Sequence, residues 1–134
     1  MRLYVASQLD HIVTASAWAH WLAGDGHVVV SRWHEDAGNT PALERALDRE
    51  GSARIADANI RCVRDAEALV VVGSRPTERV GRFVEIGIAL GIGIPVHYVE
   101  PEGRLPLMCS GSGVTTWPDL DTFRAAHRIE EAAE

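Results

Sequence analysis

At 134 residues and 46% hydrophobic content, the chain is long enough to bury most of its apolar surface around one core, and a single domain over 1–134 is expected. A formal net charge of −6 excludes the broad basic face that nonspecific duplex binding requires, so nucleic acid is not an expected partner. No apolar stretch approaches the roughly 20 residues that cross a bilayer, and the opening MRLYVASQLDHIV lacks the pattern of an export signal, so a cytoplasmic protein without a membrane partner is expected.

Arg2 to Ala6 (RLYVA) reads as a strand, followed by a loop and a helix that places Ile12, Ala15, Ala19 and Leu22 on one face. Gly24-Asp25-Gly26 stops that helix, and His27 to Ser31 (HVVVS) is β-branched and uninterrupted, as expected of a strand covered on both faces. Thr40-Pro41 resembles an N-cap with proline at the first helical position, opening PALERALDRE, and Gly51 is expected to break that helix. A further helix is predicted from about Ala53 to Arg64, with Ala56, Ile60 and Val63 inward and Ile55 and Cys62 flanking them.

Ala68 to Val72 (ALVVV) is the most apolar strand, and Gly73-Ser74-Arg75-Pro76 is its loop. Gly81 to Gly91 reads as a helix in which Gly87 and Gly91 each cost about 1 kcal/mol relative to alanine, a cost explained by close packing on the sheet. Pro95 to Val99 is the fourth strand, Gly113 to Thr116 a short fifth, and Leu120 to Glu131 the last helix, with the acidic tail IEEAAE fraying. The βα alternation predicts an α/β fold, a flavodoxin/Rossmann-like three-layer sandwich with a five-stranded, mainly parallel sheet in the order 2-1-3-4-5. In such sheets ligands bind beyond the carboxyl ends of the strands, here the loops after Ala6, Ser31, Val72 and Val99.

The most informative stretch is GRFVEIGIALG, where a glycine-bearing loop after a buried strand delivers Glu85 into the start of a helix. The helix N-terminus presents unsatisfied N–H groups and the positive end of a dipole, which predicts an ionised Glu85 available as a nucleophile. GRFVEIGIALGIGIPVHYV resembles the G-x-x-x-E-[ILM]-G-x-A-x-x-x-G-[KI]-P-V motif of the nucleoside 2-deoxyribosyltransferase family. RLYVAS, GHVVVSRW and DANIRCVRDAEALVVVG are similar to its first strand, second strand and helix-to-third-strand passage, so the resemblance covers roughly residues 1 to 105.

The resemblance implies that Glu85 attacks the anomeric carbon of a nucleoside or nucleotide, releasing the base and passing the sugar to another base or to water. It implies that the Tyr4 hydroxyl orients Glu85. Relatives place an aspartate just before the inner stripe of the second helix; here Asn59 holds that register and Asp57 lies two residues earlier. Asn59 can hydrogen-bond a base without supplying a proton, whereas Asp57 can supply one. Where some relatives carry an acid six residues ahead of the nucleophile, this chain has Arg79 beside Glu78.

Arg75, Arg79 and Arg82 surround Gly73, Ser74 and Gly81 near a helix start, a grouping suited to a 5′-phosphate. By position, Ser7 and Gln8 reach a sugar hydroxyl or phosphate, and Trp33 stacks on a base; Trp18 and Trp21 read as packing or subunit-contact residues. Cys62 and Cys109 form no C-x-x-C and read as free thiols, and the six histidines form no metal-binding pattern, so neither a metal nor another cofactor is called for. Neither a Walker sequence nor G-x-S-x-G is present.

The resemblance thus implies a small-molecule nucleoside or nucleotide as ligand, and a homo-oligomer. Two other readings use the same sheet edge: a non-catalytic module binding a nucleotide or an ADP-ribose-like ligand, and a TIR-like NAD glycohydrolase.

Overall fold

The computed structural model describes residues 1–36, 49–73, 81–102 and 104–129. Five strands, β1 (Arg2–Ala6), β2 (Val28–Val29), β3 (Ala68–Val72), β4 (Val96–Val99) and β5 (Val114–Trp117), form one sheet in the order β2-β1-β3-β4-β5. Every pairing is parallel, and the β1–β3 ladder sets Tyr4 opposite Leu69 and Val5 opposite Val70. The expected strand order is the observed one.

Period-two alternation divides the core between the two faces of the sheet. Leu3, Val5, Val70 and Val72 pack on one side with Ala15, Ala19 and Leu22 of α1 (Ile12–Gly24) and Leu120 and Phe123 of α4 (Leu120–His127). Tyr4, Ala6, Leu69 and Val71 pack on the other with Val63 of α2 (Arg49–Asp65) and Ile86 and Ala89 of α3 (Gly81–Ile92). Tyr4 and α3 therefore share a layer.

Several expectations are corrected. The second strand is an edge of two residues, with Val28 60% exposed, because β2 has a neighbour on one side only. Gly51 does not break the second helix; it is buried within α2, where packing offsets its poor helix propensity. Ala56 faces solvent, and the inward side of α2 is carried by Cys62, Val63 and Ala66, with Ala66 just past its end, while Asn59 and Ile60 are half-buried. Gly87 and Gly91 are exposed, and a Cβ added at either meets nothing within 4 Å, so neither supports close packing on the sheet; Ala89 does that. The last helix ends at His127, four residues short of the expected Glu131, and the rest of the tail beyond Ile129 lies outside the described residues. The PALERALDRE helix falls outside them as well, except for its last two residues, which open α2.

The α1–β2 turn is tied to α4 by charge. Arg124 donates from Nε to Asp25 Oδ2 at 2.7 Å and from Nη2 to Oδ1 at 3.0 Å, a two-pronged bond that holds the Asp25 carboxyl below the usual carboxylate range. At the other end Asp119 caps α4, accepting from the Thr122 amide at 2.7 Å. No described helix is long and apolar enough to cross a membrane.

Candidate active site

Tyr4 stands in the middle of β1 and is fully buried, its side chain on the α2–α3 face of the sheet. Glu85 is the fifth residue of α3, on the helix side that also carries Arg82, Ile86 and Ala89 inward. Helical spacing from Ile86 and Ala89 turns Glu85 toward the sheet, while Val84 is 58% exposed on the opposite side. Sheet register and helix phase thus bring a phenol and a carboxylate from distant parts of the sequence into one buried place.

Their electrostatics follow from that burial. Glu85 is pushed up from the ordinary 4.5 to about 7, chiefly by desolvation, with the Tyr4 hydroxyl pulling the other way. The Tyr4 phenol is raised far above its usual value by burial first and by the neighbouring Glu85 charge and contact second. The Tyr4 hydroxyl and Glu85 Oε2 are both enclosed, and neither makes a hydrogen bond of full geometry. The two groups are thus within electrostatic reach but incompletely aligned, an arrangement open to a third polar group.

The expectation of a carboxylate held ionised by the helix dipole is corrected here. The dipole acts mainly within the first turn, whereas Glu85 sits just past it in an apolar layer, and desolvation outweighs it.

Around this pair, Cys62 of α2 is half-buried and packs against the core layer that contains Tyr4. Asn59, one turn before Cys62 and Val63, is half-buried, whereas Asp57 is exposed. Ser7 and Gln8 are buried at the end of β1, and the Ser7 hydroxyl donates to the Gln8 carbonyl at 2.6 Å. Trp33 is half-buried and donates its indole N–H to the Val5 carbonyl at 2.8 Å.

Gly73 has a structural reason of its own: a Cβ there would lie 2.5 Å from Glu100 Cβ and 2.6 Å from the Val99 carbonyl, so only glycine lets the ends of β3 and β4 approach this closely. Gly81 is exposed at the start of α3. Arg82 is turned into the protein at 1% exposure, its guanidinium 4.7 Å from the Phe83 ring centroid, and burial lowers its pKa. Ser74, Arg75, Glu78 and Arg79 lie outside the described residues. No group of three metal-ligating side chains occurs among the described residues.

Sequence reading passed over Ser31 and His34. Both are buried polar residues in the segment after β2, and Ser31 Oγ lies 2.8 Å from His34 Nε2. The available signal was S-x-x-H directly after the β-branched run. A groove of about 370 Å³ opens on the α1–α4 side of the sheet and reaches its carboxyl edge, lined by Trp18, Trp21, Gly73, Val99, Pro118 and Asp119, so it touches the expected loops at Gly73 and Val99 but lies on the face away from Tyr4.

No protein-family model and no curated protein matches this chain. Among solved structures, its fold is similar to that of a 2-deoxyribosyltransferase from the psychrotolerant bacterium Bacillus psychrosaccharolyticus, characterised as a biocatalyst for synthesis of antiviral and antitumoral nucleosides. The two are 18% identical, with 92% of this chain and 90% of that one covered at a TM-score of 0.70. The chain therefore has the fold of a 2-deoxyribosyltransferase over nearly its whole length.

Proposed function

We propose that the protein cleaves or transfers at the N-glycosidic bond of a (deoxy)nucleoside or nucleoside 5′-monophosphate, with Glu85 as nucleophile and Tyr4 as the donor that orients it. The observation carrying this reading is the enclosed carboxylate of Glu85 beside the Tyr4 phenol, with its pKa raised to about 7. A carboxylate anion poorly solvated in the free protein gains most from a positive centre, and departure of a base leaves such a centre at the anomeric carbon. Glu85 then forms a bond to that carbon as the carbon–nitrogen bond breaks, and water or a second base displaces the carboxylate. The shared fold with a 2-deoxyribosyltransferase supports the same chemistry.

Asn59 is the α2 residue we assign to the base, since it is half-buried while Asp57 is exposed. Ser7, Gln8 and Gly81 lie at the carboxyl edge, where they suit the sugar or a 5′-phosphate, and Gly73, Ser74 and Arg75 complete the proposed phosphate side. The test is incubation with nucleosides and nucleoside monophosphates, following free base by chromatography with and without an acceptor base. Base release that disappears in Glu85→Ala supports the reading; hydrolysis proceeds without acceptor, and transfer requires it.

One observation favours a second reading. Asn59 cannot donate a proton to a leaving base and Asp57 is exposed, which suits a module that binds a nucleotide without cleaving it. Ligand-induced stabilisation with no base release, unchanged in Glu85→Gln, would establish that alternative.

A further inference from the structure

The β1–β2 ladder stops after Leu3 pairs with Val29, and what replaces it is made of side chains. Val28 donates its amide to the Met1 carbonyl at 2.9 Å and Val30 donates to the Leu3 carbonyl at 2.8 Å, so the ladder's next step would bring the Arg32 amide to the Val5 carbonyl. Instead the Trp33 indole N–H takes that carbonyl at 2.8 Å, and the Val5 amide donates to Ser31 Oγ at 3.1 Å. Ser31 Oγ is in turn 2.8 Å from His34 Nε2, with Ser31 1% and His34 4% exposed. With Oγ accepting from Val5, the serine hydrogen is free to donate to the bare Nε2 of a neutral His34.

Both backbone polar groups of Val5 are thus gripped from the open edge of the sheet, at the residue directly after Tyr4. The Trp33 ring also packs against both core layers, so the grip is braced on either side of β1. A full strand would have supplied the same two bonds from its backbone; here an indole and a buried serine–histidine pair supply them.

We infer that Trp33, Ser31 and His34 form a clamp whose role is to position Tyr4 against Glu85, Trp33 acting through the β1 backbone rather than by stacking on a base. They are positioning residues: their effect passes through Val5 to the phenol of Tyr4. This inference rests on the proposed pairing of Tyr4 with Glu85, and its test is chosen to read that pairing without any substrate.

The experiment is a ¹³C-carboxyl NMR titration of Glu85 in the full chain, comparing wild type with Trp33→Phe, His34→Ala and His34→Gln, each also in a Tyr4→Phe background. Trp33→Phe removes one N–H and keeps an aromatic ring, so it preserves the packing; glutamine at 34 restores an acceptor for Ser31. Loss of the clamp weakens the Tyr4 contact, which lowers the Glu85 midpoint, so Trp33→Phe and His34→Ala are expected to raise that midpoint by at least about half a pH unit. His34→Gln restores it, and Trp33→Phe has no further effect once Tyr4 is phenylalanine, the non-additivity expected of residues acting through one another.

A midpoint unchanged in a folded Trp33→Phe protein, or the same shift with and without the Tyr4 hydroxyl, would overturn the clamp. Should Tyr4→Phe itself leave the midpoint where it is, the pairing of Tyr4 with Glu85 fails and the clamp with it. An absence of base release alongside the predicted titration pattern removes the enzymatic reading and leaves the clamp standing.

Discussion

The Tyr4 hydroxyl and Glu85 Oε2 are two buried polar atoms, one from the middle of β1 and one from α3, that influence each other electrostatically although neither has a hydrogen bond of full geometry. Each alters the protonation of the other: the Glu85 charge raises the phenol, and the phenol partly offsets the desolvation of Glu85. Stability is sacrificed at such a place, and the cost is measurable.

Because the folded protein holds the Glu85 proton up to about 7 against an ordinary 4.5, the folded state binds more protons than the unfolded one between those values. Stability therefore falls as pH rises through that window and levels off above it. Glu85→Gln keeps the shape and removes the titration. It is expected to be more stable than wild type at pH 8, by on the order of 3 kcal/mol, with the advantage vanishing near pH 4. Urea unfolding of both proteins across this range checks the sign.

Tyr4→Phe removes a group that lowers the Glu85 pKa while leaving the ring in the core. Under the proposed chemistry, kcat is expected to fall about 10- to 100-fold with KM little changed, since an orienting contact matters most in the transition state. The acid limb of the pH–rate profile should also move upward. A profile unchanged in shape would show that the phenol serves packing alone.

The Asp25–Arg124 bond predicts acid sensitivity remote from the site. Asp25 is depressed by its hydrogen bonds from Arg124, so its contribution is fully present above the ordinary aspartate pKa and is lost as pH falls through the lowered folded value. Asp25→Asn is expected to cost about 2–3 kcal/mol at pH 7 and much less at pH 2, read by denaturant unfolding.

Gly87 lies inside α3 with open space where a Cβ would go. Gly87→Ala should stabilise the monomeric chain by about 1 kcal/mol, roughly 3–5 °C in melting temperature. A loss of stability instead would mean that the bare face of α3 is covered by something in solution.

The framework was legible because RLYVA and ALVVV are uninterrupted apolar runs spaced by helical patterns, and parallel order follows from that alternation. Glu85 was legible as a glutamate at the start of a glycine-bearing helix. Its charge state was not, because whether dipole or desolvation wins depends on how deeply α3 sinks into its layer. The early end of β2 was equally hidden: HVVVS carries every mark of a longer strand, and only three-dimensional contact shows Ser31 and Trp33 supplying the missing ladder bonds. Gly87 and Gly91 misled for a related reason, since small residues signal close contact without saying on which side.

The central claim is that Glu85 bonds to a sugar. Intact-mass spectrometry of the protein quenched during incubation with (deoxy)nucleoside and nucleoside monophosphate substrates reads this directly. We predict an added mass equal to the glycosyl group, mapping by peptide digestion to the segment containing Glu85 and absent in Glu85→Ala. Base release that continues undiminished in Glu85→Ala, or an adduct mapping to another residue, would contradict it.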